Sequence, residues 1–193
     1  MSQPVRIGTL PPDFAWAVHE FTTFDWDQRC GISELEPPAK IAPYAVAVTA
    51  DIEPNDSAGR LILLYDPAGN PTWEGTFRCV TLARADLPPE MVSDPLLADV
   101  GWSWLTEALD SRQAAYAAAS GTVTTTTSTS FGTLAGKEPT GDITIRGSWT
   151  PQFDTGHRLD RHLAAWQDLL LQVAGLPPDP TVVSLTDRIT TFR

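Results

Sequence analysis

Three histidines and two cysteines are the side chains best suited to chemistry in this 193-residue sequence, and their spacing decides how much they can do. His157 stands between Asp154 and Asp160, a grouping that would offer a divalent cation one imidazole and two carboxylates. A metal needs its ligands on one side, however. His157 and His162 lie at i and i+5, which a regular helix sends to different faces, and neither HExxH nor a Cys/His ligand pattern occurs. Solvated and capping side chains of a helical first turn account for these residues, so no metal is expected. His162 falls in an apolar stripe between Leu159 and Trp166, where a neutral imidazole hydrogen-bonded at the edge of a core is commoner than a general base. An enzyme built on this chain would use His162 or His157 with a nearby carboxylate.

"DPAGN", 66–70, joins an acid, a glycine and an amide, but it has neither the Walker lysine nor GxGxxG spacing, and a hairpin turn explains each residue type. No GxSxG elbow is present. Cys30 and Cys79 are far apart in sequence and form no CxxC pair, which fits free thiols in a reducing compartment. No catalytic residue and no cofactor is assigned.

The formal charge of −11 repels phosphate and anionic lipid, and the 13 Lys and Arg fall singly along the chain. Nucleic acid and membrane surfaces are therefore not expected partners. The start "MSQPVRIGTLPPDF" lacks the charged-then-apolar pattern of a secretory signal, and no stretch reaches the length of a membrane span, so a cytoplasmic protein is expected. With 42% apolar residues, seven Trp and seven Phe, the chain is long enough to bury a core as one domain, 1–193, with the core at about 11–178.

The elements that must position these groups follow from periodicity. "DFAWAVHEF" puts Phe14, Ala17, Val18 and Phe21 on one helical stripe. Residues 24–41 show no clear period and read as a connection. "APYAVAVTADI" alternates as a half-buried strand, "RLILLY" is apolar on both faces as a central strand would be, and "DPAGNP" turns the chain into "TWEGTFRCVTLAR". A helix over roughly 96–112 carries Trp102 and Trp104 at the two edges of one wide apolar face, so both indoles are expected against a sheet. "SGTVTTTTSTSFGTL" reads as a strand with polar outer positions, and "DITIRGSWTP" alternates Ile143, Ile145 and Trp149 against Thr144, Arg146 and Ser148. "RLDRHLAAWQDLLLQVAG" is a helix ended by Gly175, with residues 179–193 left as a tail or an added strand. The order α-β-β-β-α-β-β-α predicts an α+β fold: an antiparallel sheet of about five strands with its helices packed mainly on one face.

Several stretches, in order, resemble a known family. "IAPYAVAV" (41–48), "GRLILLYDPAGNPTWEGTFRCVTLARADLPPEM" (59–91), "DPLLADVGWSWLTEALD" (94–110), "SGTVT" (120–124), "SWTP" (148–151) and "HLAAWQDLLLQVAGLPP" (162–178) are similar to the actinobacterial domain of unknown function 3000 family. The resemblance implies an actinobacterial cytoplasm and brings no activity with it. In topology alone, the element order also resembles type III secretion chaperones and YbjN-like domains, which are acidic, commonly dimeric binding proteins.

Strand alternation then points to a binding surface. If Leu61, Leu63 and Tyr65 face the helices, Ile62 and Leu64 face away. In the next strand Trp73, Phe77 and Cys79 take the helix side, leaving Val80 and Leu82 opposite, beside Arg78 and Arg84. The neighbouring strands add only Ala45, Ala47, Thr49, Thr144, Arg146 and Ser148. Ile62, Leu64, Val80 and Leu82, with Arg78 and Arg84, are thus expected to form an apolar island that binds a protein partner or a second copy as a homodimer. Two other arrangements would hide it: a bulge near Gly75 that returns Val80 and Leu82 to the core, or the tail residues Val182, Val183 and Leu185 lying across it. The expected function is a non-catalytic, chaperone-like adaptor acting through protein contact.

Overall fold

A computed structural model describes residues 10–38, 40–53, 56–153 and 158–176. The fold is α+β. Its elements in chain order are α1 (Pro12–Thr23), β1 (Cys30–Leu35), β2 (Tyr44–Ile52), β3 (Ser57–Asn70), β4 (Gly75–Leu87), the short α2 (Pro89–Val92), α3 (Leu97–Ser111), β5 (Tyr116–Ser128), β6 (Thr140–Pro151) and α4 (Leu159–Val173). The strands form one six-stranded sheet in the order β1-β2-β3-β4-β6-β5, with every neighbouring pair antiparallel.

The additional strand is β1, within residues expected to be a connection. Its inward positions are Cys30, Ile32 and Glu34, and its outward ones Gly31, Ser33 and Leu35. The apolar alternation therefore reverses at Glu34 and Leu35, which hides the period of a short edge strand. The Asp27–Arg29 pair sets up the turn before it: Arg29 donates its backbone N–H and its Nε–H to Asp27 Oδ1 at 2.8 and 2.9 Å. That guanidinium holds the Asp27 carboxyl below its usual range.

Helix α1 begins on Pro12, where a missing N–H costs nothing, and buries Phe14, Ala17 and Phe21. Gly175, at φ +71°, follows α4 in the left-handed conformation that closes helices. All four helices contribute to one core on one face of the sheet. Trp102 and Trp104 are half-buried and pack against that core, as the wide apolar face of α3 requires. Large helix side chains rest on sheet glycines. A Cβ on Gly59 would overlap the Leu170 side chain, and one on Gly147 would meet Leu105 at 2.7 Å.

The core contains hydrogen-bonded polar groups. Trp166 on α4 donates its indole N–H to Thr81 Oγ1 of β4 at 2.9 Å, and Trp149 on β6 donates to His162 Nδ1 on α4 at 3.1 Å. Arg112, at the end of α3, grips Asp168 of α4 with two bonds of 2.5 and 2.7 Å. Both cysteines are free and buried; burial pushes the Cys30 thiol up to about 11 and the Cys79 thiol up further.

Because Nδ1 of His162 accepts a bond, the ring is neutral, and burial lowers its pKa from 6.5 to about 4. Between those values the unfolded chain binds a proton that the folded chain refuses. Stability is thus full above pH 6.5 and falls as the pH drops toward 4, by about 3 kcal/mol in total. Urea unfolding between pH 7 and 4.5 should show this slope in the wild-type chain and a flatter one in His162→Gln. Equal slopes in the two proteins would contradict the assignment.

Candidate functional site

Register places two side-chain rows across the face that no helix covers among the described residues. One row runs Leu35, Ala47, Ile62, Val80, Ser148, Ser120 from β1 to β5. The next runs Ser33, Thr49, Arg60, Leu82, Arg146, Thr122. Leu82 is therefore flanked by two guanidiniums, one on each neighbouring strand. Over these rows lies a concavity of about 430 Å3, floored by Ile62, Val80 and Leu82, walled by Arg60 and Arg146, and bounded toward β5 by Ser120 and Thr122. Arg60 and Arg146 are exposed, and neither side chain has an ion-pair partner among the described residues.

Arg78 closes one end of this region. It is 7% exposed, and its guanidinium donates to four neutral oxygens: Ala118 O at 2.8 Å, Thr150 Oγ1 at 3.1 Å, Ser120 Oγ at 3.1 Å and Ser148 Oγ at 2.7 Å. Local irregularity makes this possible. The β5–β6 register shifts between Ala117 and Ser120, and Ala118 adopts φ +49°, which turns its carbonyl toward Arg78. Burial pulls the Arg78 pKa down from its ordinary value, yet a guanidinium remains charged at any physiological pH. No carboxylate forms an ion pair with it among the described residues, although Glu74 lies near enough to favour its charged form, and the guanidinium places a positive charge beneath the hydroxyls of Ser120 and Ser148.

Of the six residues expected to bind a partner, all share this open face, but three differ from expectation in exposure. Ile62 and Leu64 are 7% and 3% exposed; they form a small second core with Ala47, against which Leu35, Ala42, Ala45, Trp73 and Val80 pack. Arg78 is a buried interstrand clamp, not a rim contact. Val80 and Leu82 remain half-buried and accessible from the concavity, and Arg84 is exposed near Asp86 and Asp142, each at 3.7 Å. Trp73 is also corrected. It packs with the second core on the open face, because β3 continues to Asn70 and the reversal falls at 71–74, ahead of the regular β4 ladder. The irregularity lies between Tyr65 and Asn70, so the pairing from Phe77 onward is unbroken and Val80 and Leu82 do not return to the main core. Val182, Val183 and Leu185 lie outside the described residues.

Arg60 and Ser120 were missed as site residues, although the parity of Arg60 with Ile62 already placed it on this face; only register brings it beside Leu82. His162 is 1% exposed, inside the main core, and takes no part in this concavity. His157 and Asp154 lie outside the described residues. Among the described residues no group of His, Cys, Asp or Glu is arranged to hold a metal, and no helix is long and apolar enough to cross a membrane.

A family model described as a protein of unknown function (DUF3000) matches residues 10–183. No curated protein and no solved structure matches the chain.

The clamp geometry gives a direct expectation. Arg78→Ala removes four bonds to a charged donor and should lower stability by about 2 kcal/mol or more, whereas Arg84→Ala, at an exposed pair, should change it by less than about 0.5 kcal/mol. Chemical denaturation of the two variants checks this; equal effects would contradict the clamp.

Proposed function

This chain belongs to the DUF3000 family, and we propose that it is a non-catalytic adaptor of the cytoplasm that holds an extended acidic segment of a protein partner on the open face of its sheet. The observation that carries this reading is the placement of Arg60 and Arg146 on either side of Leu82 in a chain whose net charge is −11. Against such a charge, two guanidiniums with no ion-pair partner among the described residues on one face form a local field of the opposite sign, and Arg78 reinforces it from below.

The apolar floor selects among anions. A phosphodiester backbone would gain nothing from Ile62, Val80 and Leu82, whereas a peptide alternating acidic and aliphatic residues sets its carboxylates on the arginines and its aliphatic groups on the floor. The Ser120, Thr122 and Ser148 hydroxyls add hydrogen-bond partners along one side. Arg over Lys suits the task, because a planar guanidinium can meet a carboxylate with two bonds. Nothing in this reading requires His162, whose ring is enclosed in the core and engaged by Trp149.

A synthetic peptide alternating glutamate with leucine is the defined probe. Titrated into the labelled protein, it should perturb the methyl signals of Val80 and Leu82, and its affinity should fall steeply with salt. Arg60→Glu with Arg146→Glu should abolish the binding while leaving the unfolding free energy within about 0.5 kcal/mol of wild type. Binding that survives this double charge reversal, or that shifts signals only elsewhere, would overturn the assignment.

A further inference from the structure

The two edges of the sheet are built on opposite principles. At one edge, β1 is six residues long, carries Glu34, and is followed at once by Glu36, Pro37 and Pro38. Short length, charge and proline are the usual means by which an edge strand is kept from pairing. At the other edge, β5 is 13 residues long and has neither charge nor proline, and beyond the irregularity at Ala117–Ser120 its ladder runs unbroken from Ser120 to Ser128. From Gln113 to Gly136 there is no Asp, Glu, Lys, Arg or His, the longest such run in a chain of which 19% is charged. β6 occupies one side of β5, and no strand pairs with its other side among the described residues.

The two ends of this bare strand differ in shape, one carrying an apolar knob and the other an open depression. Just past its C-terminal end, Phe131 is 79% exposed and Leu134 52% exposed, the former the most exposed large apolar side chain among the described residues. At its N-terminal end lies a concavity of about 560 Å3, lined by Leu109, Asp110, Gln113, Ala114, Ala115 and Tyr116. A knob at one end of a strand and a hollow at the other meet twice when two copies of that strand pair antiparallel about a two-fold axis. An unlike partner would need to supply both features independently.

We propose that β5 pairs antiparallel with β5 of a second copy, joining two six-stranded sheets into one and seating Phe131 of each copy in the Tyr116-end hollow of the other. The absence of charge along the strand lets two acidic molecules approach there without like charges meeting, while their remaining surfaces stay mutually repulsive. Overlap of the regular stretch, Ser120 to Ser128, joins the two strands through about eight backbone hydrogen bonds. A two-fold axis normal to the sheet keeps both open faces on the same side. The partner's β5 then lies beside Ser120 and Thr122, and the two arginine-walled concavities come to stand next to one another.

Sedimentation equilibrium of the full chain at tens of micromolar tests the pairing. The wild-type chain should sediment as twice 21.0 kDa, Phe131→Asp should weaken the dimer at least about tenfold, and Thr124→Lys with Thr126→Lys should sediment as the monomer. All three sites are exposed, so the variants should stay folded, with an unfolding midpoint equal to that of the wild-type chain diluted to its monomer. Hydrogen exchange on the wild-type chain is the second measurement: β5 amides should be protected at high concentration and exchange faster on dilution. A wild-type monomer, a dimer unaffected by either variant, or β5 exchange that ignores concentration would overturn the proposal. The Arg60→Glu, Arg146→Glu protein should dimerise normally, which separates a failure here from a failure of the adaptor reading.

Discussion

The open face of the sheet depends on one buried cation. The Arg78 guanidinium reaches from β4 past β6 to β5 and collects four oxygen acceptors, none of them charged. Such a group cannot be moved without leaving donors and acceptors unsatisfied, so it fixes how β5 and β6 lie against β4. The bulge at Ala118 and the serines at 120 and 148 are the counterparts of that requirement. Because all four hydrogen-bond acceptors are neutral, the protein solvates this charge without a bonded carboxylate.

The opposite face follows another rule. There the helices bring large side chains, and the sheet yields with small ones: Gly59 beneath Leu170, Gly147 beneath Leu105. Two indole N–H groups that would otherwise be buried without partners find Thr81 and His162. Those bonds run between α4 and two different strands, so α4 can settle in only one register along the sheet. Apolar packing supplies the bulk of the cohesion and the hydrogen bonds supply its uniqueness.

Much of this was legible in the sequence where a single period governs a segment. The alternation of "RLILLY" correctly separated Leu61, Leu63 and Tyr65 from Ile62 and Leu64, and the stripe Leu159, Leu163, Trp166, Leu169, Leu170 and Val173 is buried throughout. What was not legible depends on relations between segments. The second core around Ile62 and Leu64 arises from Leu35, Ala42 and Trp73, which belong to an unrecognised strand, a connection and a displaced turn. The Arg60–Leu82–Arg146 row needs the registers of two strand pairs, and no periodicity within one strand contains that information. The role of Arg78 was hidden for the same reason: its acceptors come from strands that sequence reading could place on a face but not side by side.

The strand order also implies an order in time. Strands β1 to β4 are neighbours both along the chain and in the sheet, so they can zip up as a meander while the protein is being synthesised. The partner of β4, however, is β6, and the nearest paired residues, Leu87 and Gly141, are separated by α2, α3 and the whole of β5. Until β6 has left the ribosome, the outer edge of β4 has no strand to pair with, and the apolar helix-side residues Phe77, Cys79, Ala83 and Ala85 have no α4 above them. Among the strand pairings, docking of the β5–β6 hairpin on β4 closes the longest loop, and α4 gains one of its anchors, Trp149, only once β6 is in place. A chain that had paired only β1 to β4 would hold four of the six strands with the β4 edge open, an arrangement from which aggregation competes with folding.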